Sequence, residues 1–152
     1  MKGHLKTVTE PKTILVVDDD PAILGLVRRL LERGDYHVLA AHDGESALRV
    51  FEGADRIDLM LLDVAMPDIS GPDLAEKILA SDANLKVLFM SAGTDSEQVR
   101  LKVFDLAFGF LAKPFTSEHL LQSVRDALGR PNDGLRTANP TSGQAGERRR
   151  ES

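Results

Sequence analysis

The chain has 152 residues, of which 42% are hydrophobic, and it contains no cysteine. This length suits one domain with a single core, and the lack of cysteine excludes disulfides and thiolate metal sites. The formal net charge of −5 argues against direct nucleic-acid binding, which depends on Lys and Arg neutralising phosphates. No segment approaches the roughly 20 apolar residues that span a bilayer, so we expect a cytoplasmic protein with no membrane contact.

Short apolar runs and helical periodicities alternate along the chain. The first run, at 14–17, is apolar and β-branched, as in a buried strand. The helix that follows is closed by Gly34, and its apolar face is predicted to contain Ile23, Leu26, Val27, Leu30 and Leu31. Further strands are predicted at 36–40, 57–63, 87–90 and 109–111, and further helices at 45–51, 72–80, 96–104 and 117–128. Thr94 and Glu97 have the spacing of a capping box at the start of the fourth helix.

Five strands that alternate with five helices predict a parallel sheet covered on both faces, because each parallel connection needs a crossover helix. The fold class is therefore a doubly wound α/β domain, which we expect to occupy residues 13–129. Residues 1–12 are expected to form a flexible extension. Residues 130–152 are rich in Pro, Gly, Ser, Thr and Asn, which predicts a disordered tail with no output domain.

Acidic side chains stand at the ends of two predicted strands. Asp18 and Asp19 follow the first strand, and Asp63 ends the third. Ligands of open α/β sheets bind outside the carboxyl ends of the strands, so these carboxylates are expected to converge where a ligand binds. Converging carboxylates repel one another unless a cation lies among them. A set of oxygen ligands in an open crevice favours Mg²⁺.

Three other residues near these strand ends need separate interpretations. Asp20 precedes a proline, a pattern typical of a helix N-cap, so we expect it to cap the first helix and not to bind the metal. Lys113 follows the fifth strand, and its position after an apolar run indicates that its side chain is directed at the carboxylates. Ser91 ends the fourth strand, where a serine often bonds only local backbone.

The sequence contains no motif of another common catalytic site. It has no glycine-rich loop of the dinucleotide or P-loop type, and no G-x-S-x-G nucleophile elbow. Its four histidines are scattered without metal-ligand spacing. The acidic strand ends are therefore the candidate site.

Four separated segments, ILVVDDDPAI, LMLLDVAMPDISGPDL, VLFMSAGT and GFLAKPF, together resemble the receiver domain of two-component response regulators, in its single-domain, chemotaxis-regulator-like form. The resemblance covers about residues 13–129. It implies a flavodoxin-like (βα)5 fold with the sheet order 2-1-3-4-5. It also implies that Asp63 is the phosphoacceptor. Mg²⁺ would be held directly by Asp19, Asp63 and the main-chain carbonyl of Ala65, while Asp18 would act mainly through metal-bound water.

The same resemblance implies roles for residues at the other strand ends. Ser91 would hold a phosphoryl oxygen, and Lys113 would pair with the acceptor carboxylate and then with the phosphoryl group. Phe110 would be an aromatic switch that alters the partner surface made by the fourth helix, fifth strand and fifth helix. The peptide bond after Lys113 would be cis. Ala65 and Gly93 carry no group that could orient a hydrolytic water, so slow loss of the phosphoryl group is expected.

By this resemblance the chain is a signalling protein and not an enzyme. It would receive its phosphoryl group from a histidine kinase or a phosphotransfer protein and act on a downstream protein target, as a monomer or as a weak phosphorylation-dependent dimer. The residues leave two alternatives open. One is a Mg²⁺-dependent aspartyl phosphohydrolase, although such enzymes usually have an acid where this chain has Ala65. The other is a phosphate-independent adaptor.

Overall fold

A computed structural model of the chain describes residues 10–93 and 95–131. The predicted N-terminal extension and C-terminal tail lie mostly outside these ranges, so their boundaries stay predictions. Among the described residues, every helix is too short or too polar to cross a lipid bilayer.

Five strands and five helices alternate along the described chain. The strands are β1 (Thr13–Val17), β2 (His37–Ala41), β3 (Leu59–Asp63), β4 (Lys86–Ser91) and β5 (Gly109–Ala112). The helices are α1 (Pro21–Arg33), α2 (Gly44–Gly53), α3 (Gly71–Ser81), α4 (Glu97–Leu106) and α5 (Ser117–Gly129). The predicted order of elements is confirmed, with boundaries that shift by a few residues.

The strands form one parallel sheet in the order β2-β1-β3-β4-β5, as the resemblance implied. β3 lies at the centre of the sheet, and all five of its residues are buried. β5 lies at one edge, where Leu111 is its single buried residue. The carboxyl ends of β1 and β3 are neighbours, so the residues that follow these strands meet at one edge of the sheet.

Two apolar clusters cover the two faces of the sheet. Alternate residues of a strand point to opposite faces, so β1 places Leu15 and Val17 in one cluster and Ile14 and Val16 in the other. Helices α2, α3 and α4 pack on the first face, while α1 and α5 pack on the second. The doubly wound arrangement is confirmed.

The start of α1 agrees with the prediction, but its apolar face is narrower than predicted. Asp20 is the N-cap, and its Oδ1 accepts a hydrogen bond from the N–H of Ala22 at 2.9 Å. Val27 and Leu31 are buried, whereas Leu26 is 40% exposed. The prediction was wrong for Leu26 because this residue lies at the edge of the apolar stripe, beyond the reach of the sheet.

The start of α4 differs from the prediction. Its N-cap is Ser96, whose hydroxyl accepts a hydrogen bond from the N–H of Val99 at 3.2 Å. The predicted capping box is therefore wrong about the cap, because α4 begins two residues later than a cap at Thr94 would require. Thr94 itself lies outside the described residues.

Candidate functional site

Three carboxylates and one ammonium group meet at the carboxyl edge of the sheet. Ligand atoms of Asp18, Asp19 and Asp63 lie within 4.8 Å of one another. The Nζ atom of Lys113 is 3.0 Å from Oδ2 of Asp18 and 3.2 Å from Oδ1 of Asp63. Asp18 is fully buried and Asp63 is 6% exposed, while Asp19 is exposed. The expected convergence of these side chains is therefore observed.

Main-chain hydrogen bonds fix the strand ends that carry these side chains. The N–H of Asp18 donates to the carbonyl of Ala41 at 3.2 Å, which ties the end of β1 to β2. The N–H of Lys113 donates to the carbonyl of Ser91 at 2.8 Å, which ties the end of β5 to β4. The peptide bond between Lys113 and Pro114 is cis, as the resemblance implied. The site is thus built on the ends of paired strands.

The segment after Asp63 is held against the end of β3 by a close main-chain contact. The N–H of Gly71, the first residue of α3, donates to the carbonyl of Val64 at 2.7 Å. A Cβ atom at position 71 would lie 2.3 Å from the carbonyl oxygen of Asp63, which is closer than two such atoms can approach. A residue without a side chain is therefore required where α3 meets the end of β3.

Asp68, in the same segment, anchors this loop to α2 and was not foreseen from the sequence. Its Oδ2 accepts hydrogen bonds from the N–H groups of Gly44 and Glu45, at 3.1 and 3.2 Å. A carboxylate at a helix N-terminus is stabilised by the unpaired N–H groups and by the helix dipole. No periodic pattern of residues marks this contact, because it joins a loop to a helix that lies 23 to 24 residues away.

The environment of Asp63 disfavours its charged form. Burial raises the pKa of Asp63 to about 6, and the neighbouring Asp18 carboxylate contributes to this rise. The Lys113 ammonium group opposes it. Burial alone would lower the pKa of Lys113, but the hydrogen bond and charge of Asp18, together with Asp63, outweigh burial and raise it. Lys113 therefore stays an ammonium group beside a crevice with excess negative charge.

The donor atoms of this crevice fit a hard divalent cation. All three side chains supply carboxylate oxygens, the ligands that Mg²⁺ prefers. A cation would relieve the repulsion and desolvation that raise the pKa of Asp63. The chemistry of this acidic pocket is therefore compatible with Mg²⁺.

Ser91 lies at the end of β4 and is 2% exposed. Its hydroxyl donates a hydrogen bond to the carboxylate of Asp95 and accepts one from the N–H of Gly93 at 2.9 Å. The involvement of Asp95 was not predicted, because a loop residue four positions beyond a serine has no helical or strand period to mark it. The single hydroxyl proton of Ser91 is thus directed at Asp95.

Two small residues, Ala65 and Gly93, each lie two positions beyond the residue that ends a strand, Asp63 in β3 and Ser91 in β4. Ala65 is exposed just after β3. Gly93 has a φ of 89°, and a Cβ atom there would meet nothing within 4 Å among the described residues. Neither residue has a side-chain group that could orient a water molecule.

Phe110, the predicted switch residue, lies on the outer side of the domain. Its side chain is 49% exposed, and it lines a cavity of about 490 Å³ between α4, β5 and α5. Phe104 and Arg100 of α4 contribute to the same cavity, as does Asp95. Phe110 and Asp95, the partner of Ser91, therefore line the same cavity.

Comparisons with known proteins agree with this geometry. A family profile described as response regulator receiver domain matches residues 14–125. The response regulator MprA of Mycolicibacterium vanbaalenii is 39% identical over 127 residues, which cover 82% of this chain and 54% of MprA. The chain spans about half the length, or less, of the curated relatives it matches.

Two solved structures share the fold. A CheY-like receiver domain protein from Methanospirillum hungatei JF-1 superposes with a TM-score of 0.73 at 29% identity, over 78% of this chain and 94% of that chain. TrrA from Thermotoga maritima, solved in complex with Mg(2+)-BeF, superposes with a TM-score of 0.66 at 31% identity, over 76% of this chain and 98% of that chain. The hydrolase and adaptor alternatives are not favoured by these matches. The chain belongs to the receiver-domain family of two-component response regulators, which are phosphoacceptor signalling modules.

Proposed function

We propose that this chain accepts a phosphoryl group on Asp63 from a histidine kinase or a phosphotransfer protein, and that this changes the surface it offers to a downstream protein. The observation that carries the proposal is the buried Asp63 carboxylate, with Lys113 at 3.2 Å and two further carboxylates beside it. The likeness to TrrA in its complex with Mg(2+)-BeF supports the choice of a phosphoryl-binding site with a metal.

The transfer exchanges one bond to phosphorus for another. An oxygen of Asp63 forms the new O–P bond while the N–P bond of the donor phosphohistidine breaks, and the departing imidazole keeps the electron pair and takes up a proton. Two anions must approach each other in this step, so the charge on the transferring oxygens needs a preorganised cation. Lys113 supplies one, held in place by its contact with Asp18 at 3.0 Å.

Mg²⁺ would be the second source of positive charge. Asp19, Asp63 and the carbonyl of Ala65 would hold it directly, and Asp18 would act mainly through water. When bound, the metal neutralises charge on the transferring phosphoryl oxygens.

We further propose how the phosphorylated state is read. Ser91 would move to donate a hydrogen bond to a phosphoryl oxygen, and Phe110 would turn inward into the space this leaves. The surface made by α4, β5 and α5 would then favour a different partner, as a population shift between two states of the domain. Phe110 has no hydroxyl, so its two positions would differ only in packing.

The remaining expectations are part of the same proposal. The chain acts as a signalling protein in the cytoplasm and not as an enzyme with an external substrate. It works as a monomer or a weak phosphorylation-dependent dimer, without direct binding to nucleic acid or membrane. The receiver domain is proposed to extend over 13–129.

The test is labelling by a small phosphoryl donor. Incubation with acetyl phosphate and Mg²⁺ is expected to add the mass of one phosphoryl group to the intact protein, and Asp63→Asn or EDTA is expected to abolish this. Asp105→Asn, which changes an exposed aspartate on α4, is the matched control and should label like the wild type. Undiminished labelling of Asp63→Asn would refute the assignment of the acceptor.

A further inference from the structure

Two residues that follow β4, Gly93 and Asp95, form hydrogen bonds with the hydroxyl of Ser91. The hydroxyl donates to the Asp95 carboxylate and accepts from the N–H of Gly93 at 2.9 Å. Ser91 itself is 2% exposed, so little water reaches this pair from the side of the serine. A hydrogen bond to a charged acceptor in a sheltered place is among the stronger ones in proteins.

A serine hydroxyl has only one proton to donate. A phosphoryl group carries only acceptor oxygens, so Ser91 can bind one solely by donating that proton. The same proton is engaged with Asp95 in the structure. The two hydrogen bonds therefore exclude each other.

We propose that Asp95 is a positioning residue that holds Ser91 away from the phosphoryl group and so lowers the affinity of the domain for it. This inference rests on the proposed function, in which Ser91 binds a phosphoryl oxygen. The negative charge of Asp95 strengthens the effect, because the carboxylate competes with the phosphoryl group for one donor. The activated state is thus opposed by a contact outside the acidic crevice.

Two observations separate this role from a purely structural one. The N-cap of α4 is Ser96 and not Asp95, so the carboxylate is not needed to start the helix. Asp95 also lines the cavity that contains Phe110 and Arg100. Release of Asp95 by Ser91 therefore changes the wall of that cavity, on the surface proposed to meet the downstream partner.

The experiment measures how tightly the full chain binds beryllofluoride, a mimic of the phosphoryl group, at saturating Mg²⁺ by ¹⁹F NMR or calorimetric titration. Asp95→Ala is expected to bind the mimic roughly three- to tenfold more tightly, the change produced by losing one competing hydrogen bond. Asp95→Asn should fall between Asp95→Ala and the wild type, because a neutral amide oxygen is a weaker acceptor. Mg²⁺ affinity without the mimic should be unchanged in both variants.

Removal of a negative charge would by itself favour an anion, so the decisive control uses Ser91→Ala. In that background Asp95→Ala should give no further gain, whereas a general charge effect would persist without the hydroxyl. Asp105→Ala, with the same charge change on an exposed part of α4, should match the wild type. Two outcomes would overturn the role of Asp95 and leave the proposed function standing. In one, the wild type binds the mimic but Asp95→Ala binds it no more tightly. In the other, the gain in affinity persists in the Ser91→Ala background. Failure of the wild type to bind the mimic would overturn the proposed function and this inference with it.

Discussion

The centre and one edge of the sheet are packed very differently. All five residues of β3 are buried between β1 and β4, and the adjacent α3 buries five residues. At the edge, β5 buries only Leu111 and α4 only Val103. The candidate acceptor lies at the end of the tightly packed strand, while Phe110 lies on the loosely packed one.

This difference in packing indicates which parts of the domain can change conformation. Elements with few buried contacts change conformation at a low free-energy cost, whereas a closely packed core does not. We therefore expect the Asp63 carboxylate to keep its position during phosphoryl transfer, and we expect the structural response to fall on α4 and β5. The three predictions below test this contrast, from the largest expected change in free energy to the smallest.

The test with the largest expected effect truncates one leucine side chain in β3 and one in α4. Leu61→Ala in β3, where the side chain is fully buried, is expected to lower the free energy of unfolding by about 2–5 kcal/mol. Leu101→Ala in α4, where the side chain is 61% exposed, should change it by less than about 0.5 kcal/mol. Urea denaturation of both variants measures the difference. Equal losses would show that α4 is packed as firmly as the centre of the sheet.

The second test changes a side chain next to the end of β3 and leaves β5 and α4 unaltered. Ala65→Asn places an amide beside the acceptor, where it can orient the hydrolytic water, and should shorten the lifetime of phosphorylated Asp63 by about tenfold. The wild-type form should persist for minutes or longer. Loss of the phosphoryl group is followed by intact mass after removal of the donor. A wild-type lifetime of seconds that Ala65→Asn leaves unchanged would contradict the prediction.

The third test concerns the energetic cost of burying the acceptor. The pKa of Asp63 is raised to about 6 from an ordinary value of 3.8. The folded protein therefore holds this proton more tightly than the unfolded chain does. Protonation of Asp63 therefore contributes to the free energy of unfolding. This contribution is fully present below pH 3.8 and is lost as the pH rises through about 6.

Asp63→Asn removes this charge while keeping the shape of the side chain. The melting temperature of the metal-free variant should exceed that of the wild type by several degrees at pH 7, and the difference should shrink as the pH falls from 6 towards 4. Asp105→Asn at the exposed edge should show neither effect. Calorimetry across this pH range, in EDTA, makes the comparison. A difference independent of pH would show that Asp63 is not the titrating group.

The sequence predicted those parts of the molecule that repeat locally. Alternation of buried strands and amphipathic helices gave the doubly wound fold, because hydrophobic periods of two and 3.6 residues are visible within one element. The convergence of Asp18 and Asp63 followed from the same reasoning, since the ends of parallel strands share an edge. The family resemblance supplied the sheet order, which is confirmed, and the roles proposed for the strand-end residues.

Contacts made by loops could not be predicted in this way. The bonds of Asp95 to Ser91 and of Asp68 to the start of α2 depend on loop conformations that have no period. The predicted cap of α4 failed for a related reason, because two residues in one loop had suitable side chains and Ser96 took the position. The exposure of Leu26 could not be predicted for another reason. A helical period shows which residues lie on the apolar face but not how much of that face the sheet covers.

The approach of Gly71 to the acceptor strand also affects the conformational entropy of the chain. Position 71 admits no side chain, because a Cβ atom would lie 2.3 Å from the carbonyl oxygen of Asp63. Glycine is the most flexible residue in the unfolded chain, so ordering it on folding costs roughly 0.4–1 kcal/mol more than ordering alanine. The glycine at the start of α3 therefore lowers the free energy of unfolding, and it allows the main chain of Asp63 to pack directly against the helix.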